Sequence, residues 1–303
     1  MTPATRRLLI FVQVCFGIFP WLGKVAMESF EPRAVMVWRL FVGAVVLMAI
    51  AVRLHGRAAL PAPKDILILF GLSLLGVTVN QSLFLEGLAR STAVNAGLLM
   101  TVIPVATVAF AAFAGQERPG GRQLLGIGLS VLGVGWLFAS RGAQIGADTL
   151  FGDVLLTVNA LSYSAYLVCA RSILTRLPQA VCIAWIFLCG ALTVPILAAD
   201  VPWWPEVVET RQLLALGGVL LFPTILAYLV NIVVLSRAGA NITAAYVMLQ
   251  PLLATALGIG LLGERPDAAL LVTAVGVLAG LWLVSTPGKA RSGGRAQPSP
   301  ERP

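Results

Sequence analysis

The chain alternates long apolar runs with short polar breaks. Ten runs of mostly apolar residues lie at roughly 7–27, 33–53, 66–86, 92–115, 121–140, 151–171, 180–198, 211–235, 240–263 and 266–286. Each is close to the length of about 20 residues that carries a helix across a hydrocarbon core. The breaks hold turn and charge signals: His55-Gly56-Arg57 through Pro63-Lys64-Asp65, Glu117-Arg118-Pro119-Gly120-Gly121, and Trp203-Trp204-Pro205-Glu206. Barrel strands run to only about 10 residues and alternate in polarity. These runs do neither, so the pattern predicts helices. Thr5-Arg6-Arg7 looks like the start of a signal peptide, but the run from Leu8 to Ala26 spans by itself and no small-x-small cleavage site follows it. It is expected to stay as the first helix. Beyond Pro287 only Gly, Arg, Ser, Pro and similar residues remain, and 287–303 is expected to be a disordered tail.

Composition turns these runs from buried helices into membrane spans. Hydrophobic residues make up 58% of the chain and charged residues 11%, where a soluble domain carries about a quarter charged. So little charge cannot coat a water-facing surface, and lipid is the solvent that removes the difficulty. The single histidine, His55, excludes a multi-His metal site. The four cysteines, Cys15, Cys169, Cys182 and Cys189, all fall in apolar runs and read as reduced packing residues. No cofactor is expected. The net charge of +8 does not imply nucleic acid, because in a membrane chain the distribution of basic residues matters more than their sum. With the N-terminus in the cytoplasm, fourteen basic residues fall on the cytoplasmic side and six on the other: Lys24, Arg33, Arg90, Arg141, Arg211 and Arg265. That bias predicts both termini in the cytoplasm and an even number of spans; the expected location is the plasma (cell inner) membrane.

An internal repeat organises the spans. Shifted by 147 residues, Glu117-Arg118-Pro119 falls on Glu264-Arg265-Pro266, Pro104 on Pro251, Arg90 on Arg237 and Lys24 on Arg171. Trp38-x4-Gly43-Ala44 likewise falls on Trp185-x4-Gly190-Ala191. Matches at Glu, Arg, Pro and Trp with one shared offset do not arise from Leu/Ala/Val richness. Five spans per unit is odd, so the copies must sit upside down relative to each other. The expected fold is therefore all-α and integral to the membrane, with ten transmembrane helices as two inverted five-helix repeats. Secondary carriers are commonly built this way, with the solute site between the repeats near the midplane.

The spacing Phe16-Gly17-x6-Lys24-x7-Pro32-x6-Arg39, its fainter copy Tyr163-Ser164-x6-Arg171, and the acidic residues Glu117 and Glu264 after each fourth helix resemble the EamA type of the drug/metabolite transporter superfamily. The resemblance covers about 8–139 and 150–285. The chain departs from it in having Phe16 and Tyr163 where Trp is commoner, and in lacking Pro-x6-Arg in the second unit. It implies a carrier of small organic metabolites, with export the commoner direction.

Polar groups inside spans are costly and mark candidate function. Arg39 lies six residues into helix two, about 9 Å deep, as a fixed charge facing a cavity or gate, or as a structural or snorkelling cation. Glu86 is its expected partner. Asn80, Gln81, Asn95, Tyr163, Tyr166, Tyr228, Asn231, Tyr246 and Gln250 recur at helical spacings and could line a cavity or bind helices together. Pro104 and Pro251 are expected to kink their helices. Gly126, Gly128, Gly133 and Gly135 read as a close-packing face. No midplane carboxylate is evident, which leaves proton coupling open. An intramembrane enzyme would want paired acids or a His/Glu constellation, and neither appears. A scaffold would not explain the duplication. The expected partners are a small-molecule solute and the bilayer, with a homodimer left open.

Overall fold

A computed structural model describes residues 2–116, 119–141, 147–238, 249–266 and 268–285. The described residues are helical, with no strand among them. The helices are α1 Pro3–Gly17, α2 Phe19–Ala26, α3 Pro32–His55, α4 Pro63–Ser73, α5 Val79–Arg90, α6 Ala93–Leu99, α7 Val102–Phe113, α8 Gly121–Arg141, α9 Ala147–Leu174, α10 Gln179–Leu197, α11 Thr210–Val219, α12 Ala227–Ala238, α13 Leu249–Leu262 and α14 Ala268–Ser285. Several are consecutive pieces of one rod. Among the described residues, seven rods are long and apolar enough to cross a membrane, including Pro3–Ala26, Pro63–Arg90 and Ala93–Phe113. The tail 287–303 lies outside the described residues.

Local chemistry fixes the ends. Proline opens α1, α3 and α4, where its missing N–H costs nothing. Gly115 and Gly263 close α7 and α13 with φ of 69° and 68°, a left-handed turn that favours glycine. The rod Ala93–Phe113 breaks at Met100–Thr101. Pro104 has no N–H for the Met100 carbonyl, which accepts from the Ile103 N–H instead (3.1 Å). The helix thus breaks one turn before Pro104, where the proline leaves the Met100 carbonyl without the usual donor. Pro251 falls near the start of α13, but its side chain lies outside the described residues.

The rods pair across the repeat in a reciprocal pattern. α3 packs on α10, its own equivalent at the offset of 147, and α8 on its equivalent α14. α5 packs on α9, and its equivalent α12 packs on α1; α11, the equivalent of α4, packs on α2. Side chains obey the same exchange. Phe187 lies against Gly43, and Leu40, the equivalent of Phe187, lies against Gly190, the equivalent of Gly43 (3.0 Å from where a Cβ would stand). The Trp38 indole N–H donates to the Trp203 carbonyl (2.9 Å) after α10, and the equivalent Trp185 donates to the Ala59 carbonyl (2.7 Å) after α3. Arg33 at the start of α3 bonds the Leu197 carbonyl at the end of α10 (3.3 Å). Corresponding helices therefore run antiparallel.

Two π-helical segments sit at equivalent places, Leu74–Thr78 between α4 and α5 and Leu220–Leu226 between α11 and α12. Gly76 in the first corresponds to Pro223 in the second.

Polar contacts tie the repeats at both membrane faces. At one face Arg33 bonds Asp200 through both nitrogens (2.8 and 3.0 Å), and Glu28 meets Arg211 (3.3 Å) and Gln212 (3.1 Å). At the other, Arg176 meets Asp65 (3.0 Å). Asp65 and Gln212 are offset equivalents, so each repeat's third rod begins on a polar contact to the end of the other repeat's first rod.

α8 and α14 approach closely over Gly126, Ser130 and Gly133, where Thr273 also donates to the Gly133 carbonyl (3.1 Å). A Cβ on Gly280 would strike Ser130 and the Gly126 carbonyl, whereas one on Gly128 or Gly135 meets nothing within 4 Å. The expected glycine face is thus real at Gly126 and Gly133 only. Of the cysteines, Cys15, Cys182 and Cys189 are buried as expected, but Cys169 is exposed.

Gly280→Leu is expected to destabilise by about 1–3 kcal/mol through overpacking, read as a lower melting temperature in detergent, while Gly128→Leu melts as wild type. The Arg33 hydrogen bonds hold the exposed Asp200 carboxyl below its ordinary value. Its contribution to stability is complete above about pH 3.9 and fades only as pH falls through the depressed value. Wild type and Asp200→Asn should therefore show parallel melting curves from about pH 5 to 8 and converge only in stronger acid.

Candidate substrate site between the repeats

Between the repeats lies a small cavity of about 10 Å³, on the order of a single water. The first unit contributes the π segment, through Gly76 and Val77. The second contributes Tyr163 and Tyr166 of α9, Ile183, Ile186 and Phe187 of α10, and Tyr228 of α12. Gly76 has a structural reason: a Cβ there would come 2.5 Å from the Tyr166 ring. The aromatic rings brace one another. Tyr163 and Tyr166 are 5.5 Å apart, Phe187 meets Tyr228 edge-on at 5.2 Å, and Tyr228 meets Phe16 edge-on at 5.8 Å. The space is walled by rings with hydroxyl tips.

Shifting these eight positions by 147 gives Pro223, Thr224, Phe16, Phe19, Met36, Arg39, Leu40 and Gln81. Several of these meet as well. Arg39 Nε donates to Thr224 Oγ1 (3.0 Å), and its guanidinium carbon lies 4.1 Å over the Phe19 ring. The same fold position that holds Ile186 in one half holds a buried cation in the other. Arg39 and Gly43 are a turn apart on α3, as are Thr224 and Tyr228 across the junction into α12, so the two half-sites are neighbours.

Glu86 does not pair with Arg39. It meets Arg90 one turn on, and Arg33 at 3.9 Å. Glu86 lies one turn from the end of α5, level with the start of α3, while Arg39 is six residues deeper, about 9 Å. The sequence placed both on one membrane face but did not resolve their depths.

Three candidate amides bridge helices. Asn80 donates to the Asn159 carbonyl (3.1 Å) and Asn159 to the Asn80 carbonyl (2.7 Å), joining α5 to α9. Asn95 binds Asp153 (2.9 and 3.2 Å) and Ser91 (3.0 Å). Gln250 donates to Gln13 (2.6 Å), joining α13 to α1. Such bonds supply cohesion where lipid offers none. Gln81 is different: it is 4% exposed, and its Oε1 has no hydrogen-bond partner among the described residues. Asn231 is half-buried on α12, three residues from Tyr228, and Tyr246 lies outside the described residues.

Two roles went unseen in the sequence. Asp153 of α9 is fully buried and also accepts from Ser91 Oγ; an Asp inside the run 151–171 was the available signal. Glu264, legible as a helix-end acid, reaches across the repeat. Its two oxygens accept from the Ala93 and Val94 N–H groups (2.7 and 2.9 Å), capping the positive end of α6. Among the described residues no group of His, Cys, Asp and Glu is placed to hold a metal.

Comparison with known proteins agrees with this architecture. A solved crystal structure superposes with a TM-score of 0.64 at 17% identity, covering 93% of this chain and 96% of that one, which shows the shared fold. An uncharacterized transporter of Archaeoglobus fulgidus is 27% identical over 94% of this chain and 98% of its own. The uncharacterized transporter YdfC of Bacillus subtilis is 26% identical over 93% and 92%. The EamA-like transporter family matches twice, at residues 7–139 and 150–286. Two matches, one per repeat, cover nearly the whole chain, and the protein belongs to the EamA-like transporter family.

Proposed function

We propose that this membrane transporter is a secondary carrier of small organic metabolites working by alternating access, with the closed cavity between the repeats as its solute site. The observation that carries the reading is the reciprocity of the two halves around that cavity. A carrier needs two conformations of similar free energy, one open to each side. Antiparallel equivalents that pack on one another, as α3 does on α10 and α8 on α14, provide them, because exchanging the roles of the halves turns one conformation into the other. α8, α13 and α14 fill out two five-helix units, ten spans in all. The polar contacts at the two faces then serve as latches, and the closed cavity matches a state in which both are made. Export is the direction the family resemblance favours.

Each latch should bias access from its own side. In a cysteine-free background carrying Tyr163→Cys, Asp65→Asn is expected to raise labelling from the face that holds Arg176. Glu28→Gln should raise it from the face that holds Arg211. Partly exposed ion pairs of this kind are worth up to about 1 kcal/mol, so increases of about two- to fivefold are expected. Equal labelling from both faces in both variants would count against latching.

The central experiment is counterflow in proteoliposomes with pooled amino acids, sugars, nucleosides and organic acids. At least one pool is expected to exchange. No flux of any class, with folding verified by a cooperative melt, would sink the carrier reading.

A further inference from the structure

Arg39 is a buried cation with no ion-pair partner among the described residues. It is 4% exposed, so it does not snorkel to water. A guanidinium carries five N–H donors, and Arg39 spends one on Thr224 Oγ1 and one face on the Phe19 ring. Among the described residues no carboxylate lies within 4.0 Å of it. The ionisable side chain that shares its field is the Tyr228 phenol, at the edge of the cavity. A buried cation without a counter-charge is costly in any protein interior and most of all in a membrane.

Packing does not require that charge. The equivalent position in the second repeat is Ile186, in the same α3–α10 crossing. Leu40 and Phe187 against Gly190 and Gly43 close the crossing without a guanidinium. A second orphan stands at the offset equivalent of the lining residue Tyr228: Gln81 keeps a buried carbonyl oxygen without a donor among the described residues. One half-site thus holds unused cationic donors and an unused acceptor, and the other holds aromatic walls.

We propose that Arg39 recognises the carboxylate of the transported solute, which is therefore an organic monoanion. Its apolar or aromatic body lies against Tyr163, Tyr166 and Phe187, and Gln81 accepts from an N–H or O–H on it. The inference rests on the cavity being the solute site. One guanidinium balances one negative charge; a phosphate dianion would need a second cation, and none of the lining residues or their offset equivalents supplies one. The bidentate fit of guanidinium to carboxylate selects the group by shape as well as charge. The solute also completes the site, neutralising Arg39 at the moment when the halves must move.

The test compares phenylacetate with its neutral isostere phenylacetamide and the cation phenethylamine, on purified full-length protein, by thermal shift and equilibrium dialysis. Wild type is expected to bind phenylacetate at least about tenfold more tightly than the amide, the worth of one hydrogen-bonded charge. Arg39→Gln should abolish that preference without changing amide binding, and Arg39→Lys should keep part of it. A merely structural Arg39 would weaken both probes alike. Equal binding of acid and amide to wild type, an unchanged preference in Arg39→Gln, or binding of none of the probes would each overturn the proposal. If Arg39→Gln does not fold, the wild-type comparison and Arg39→Lys decide it. Flux of neutral solutes without acid preference would overturn this inference and leave the carrier standing. Arg39-dependent acid binding without flux of any solute would do the reverse.

Discussion

The close crossing of α3 and α10 sets the geometry of everything around it. Lipid tails are as apolar as leucine, so helices in a bilayer gain little from hiding apolar faces and must gain from contact and polar bonds instead. Glycine at 43 and 190 lets the two backbones approach until Phe187 and Leu40 fill the gaps. Because the helices are offset equivalents running antiparallel, the contact is self-complementary, as at a two-fold interface. Further contacts follow from that one: Trp38 and Trp185 on opposite loops, and the third rod of each repeat on the first rod of the other. Moving either helix would disturb both halves together.

Within that frame the two π segments bear on the placement of the proposed solute site. A π turn widens the helix by one residue and leaves a local irregularity that cores seldom tolerate without a reason. Here Gly76 and Val77 on one segment face the aromatic cavity, and Thr224 on the other holds Arg39. Both irregularities fall at the repeat interface, where irregular backbone in a membrane is tolerated because it is buried in protein rather than facing lipid.

The fold was largely legible in the sequence because bilayer thickness imposes run length and the duplication leaves a fixed offset. Trp38/Trp185 and Gly43/Gly190 were visible as matched positions before their reciprocal contacts were. Depth and facing were not legible. Arg39 and Glu86 differ by about 9 Å in level, a distance that span boundaries uncertain by a few residues cannot resolve. Asn80 and Asn95 carried the right chemistry for a cavity, yet Asn159 and Asp153 consume it, and their meeting depends on how α5 and α6 rotate against α9. Glu264 showed its place at a helix end, but its partner lies 170 residues away in the chain. Periodicity assigns a residue to a face; only packing says what the face meets.

The differences between the halves carry more functional information than the matches. Scaffold positions repeat as like residues, Trp for Trp and Gly for Gly. Site positions do not: Ile186 answers Arg39, Val77 answers Thr224 and Tyr228 answers Gln81. A symmetric site would present the same surface to a solute in either orientation, and nothing would fix which end of the molecule lay where. The exchanges of Arg39 for Ile186, Thr224 for Val77 and Gln81 for Tyr228 would give the proposed site a polar pole and an aromatic pole above a crossing whose glycines, Gly43 and Gly190, repeat. On the proposed reading, an amphipathic solute would bind in one orientation while the frame exchanged the roles of its two halves.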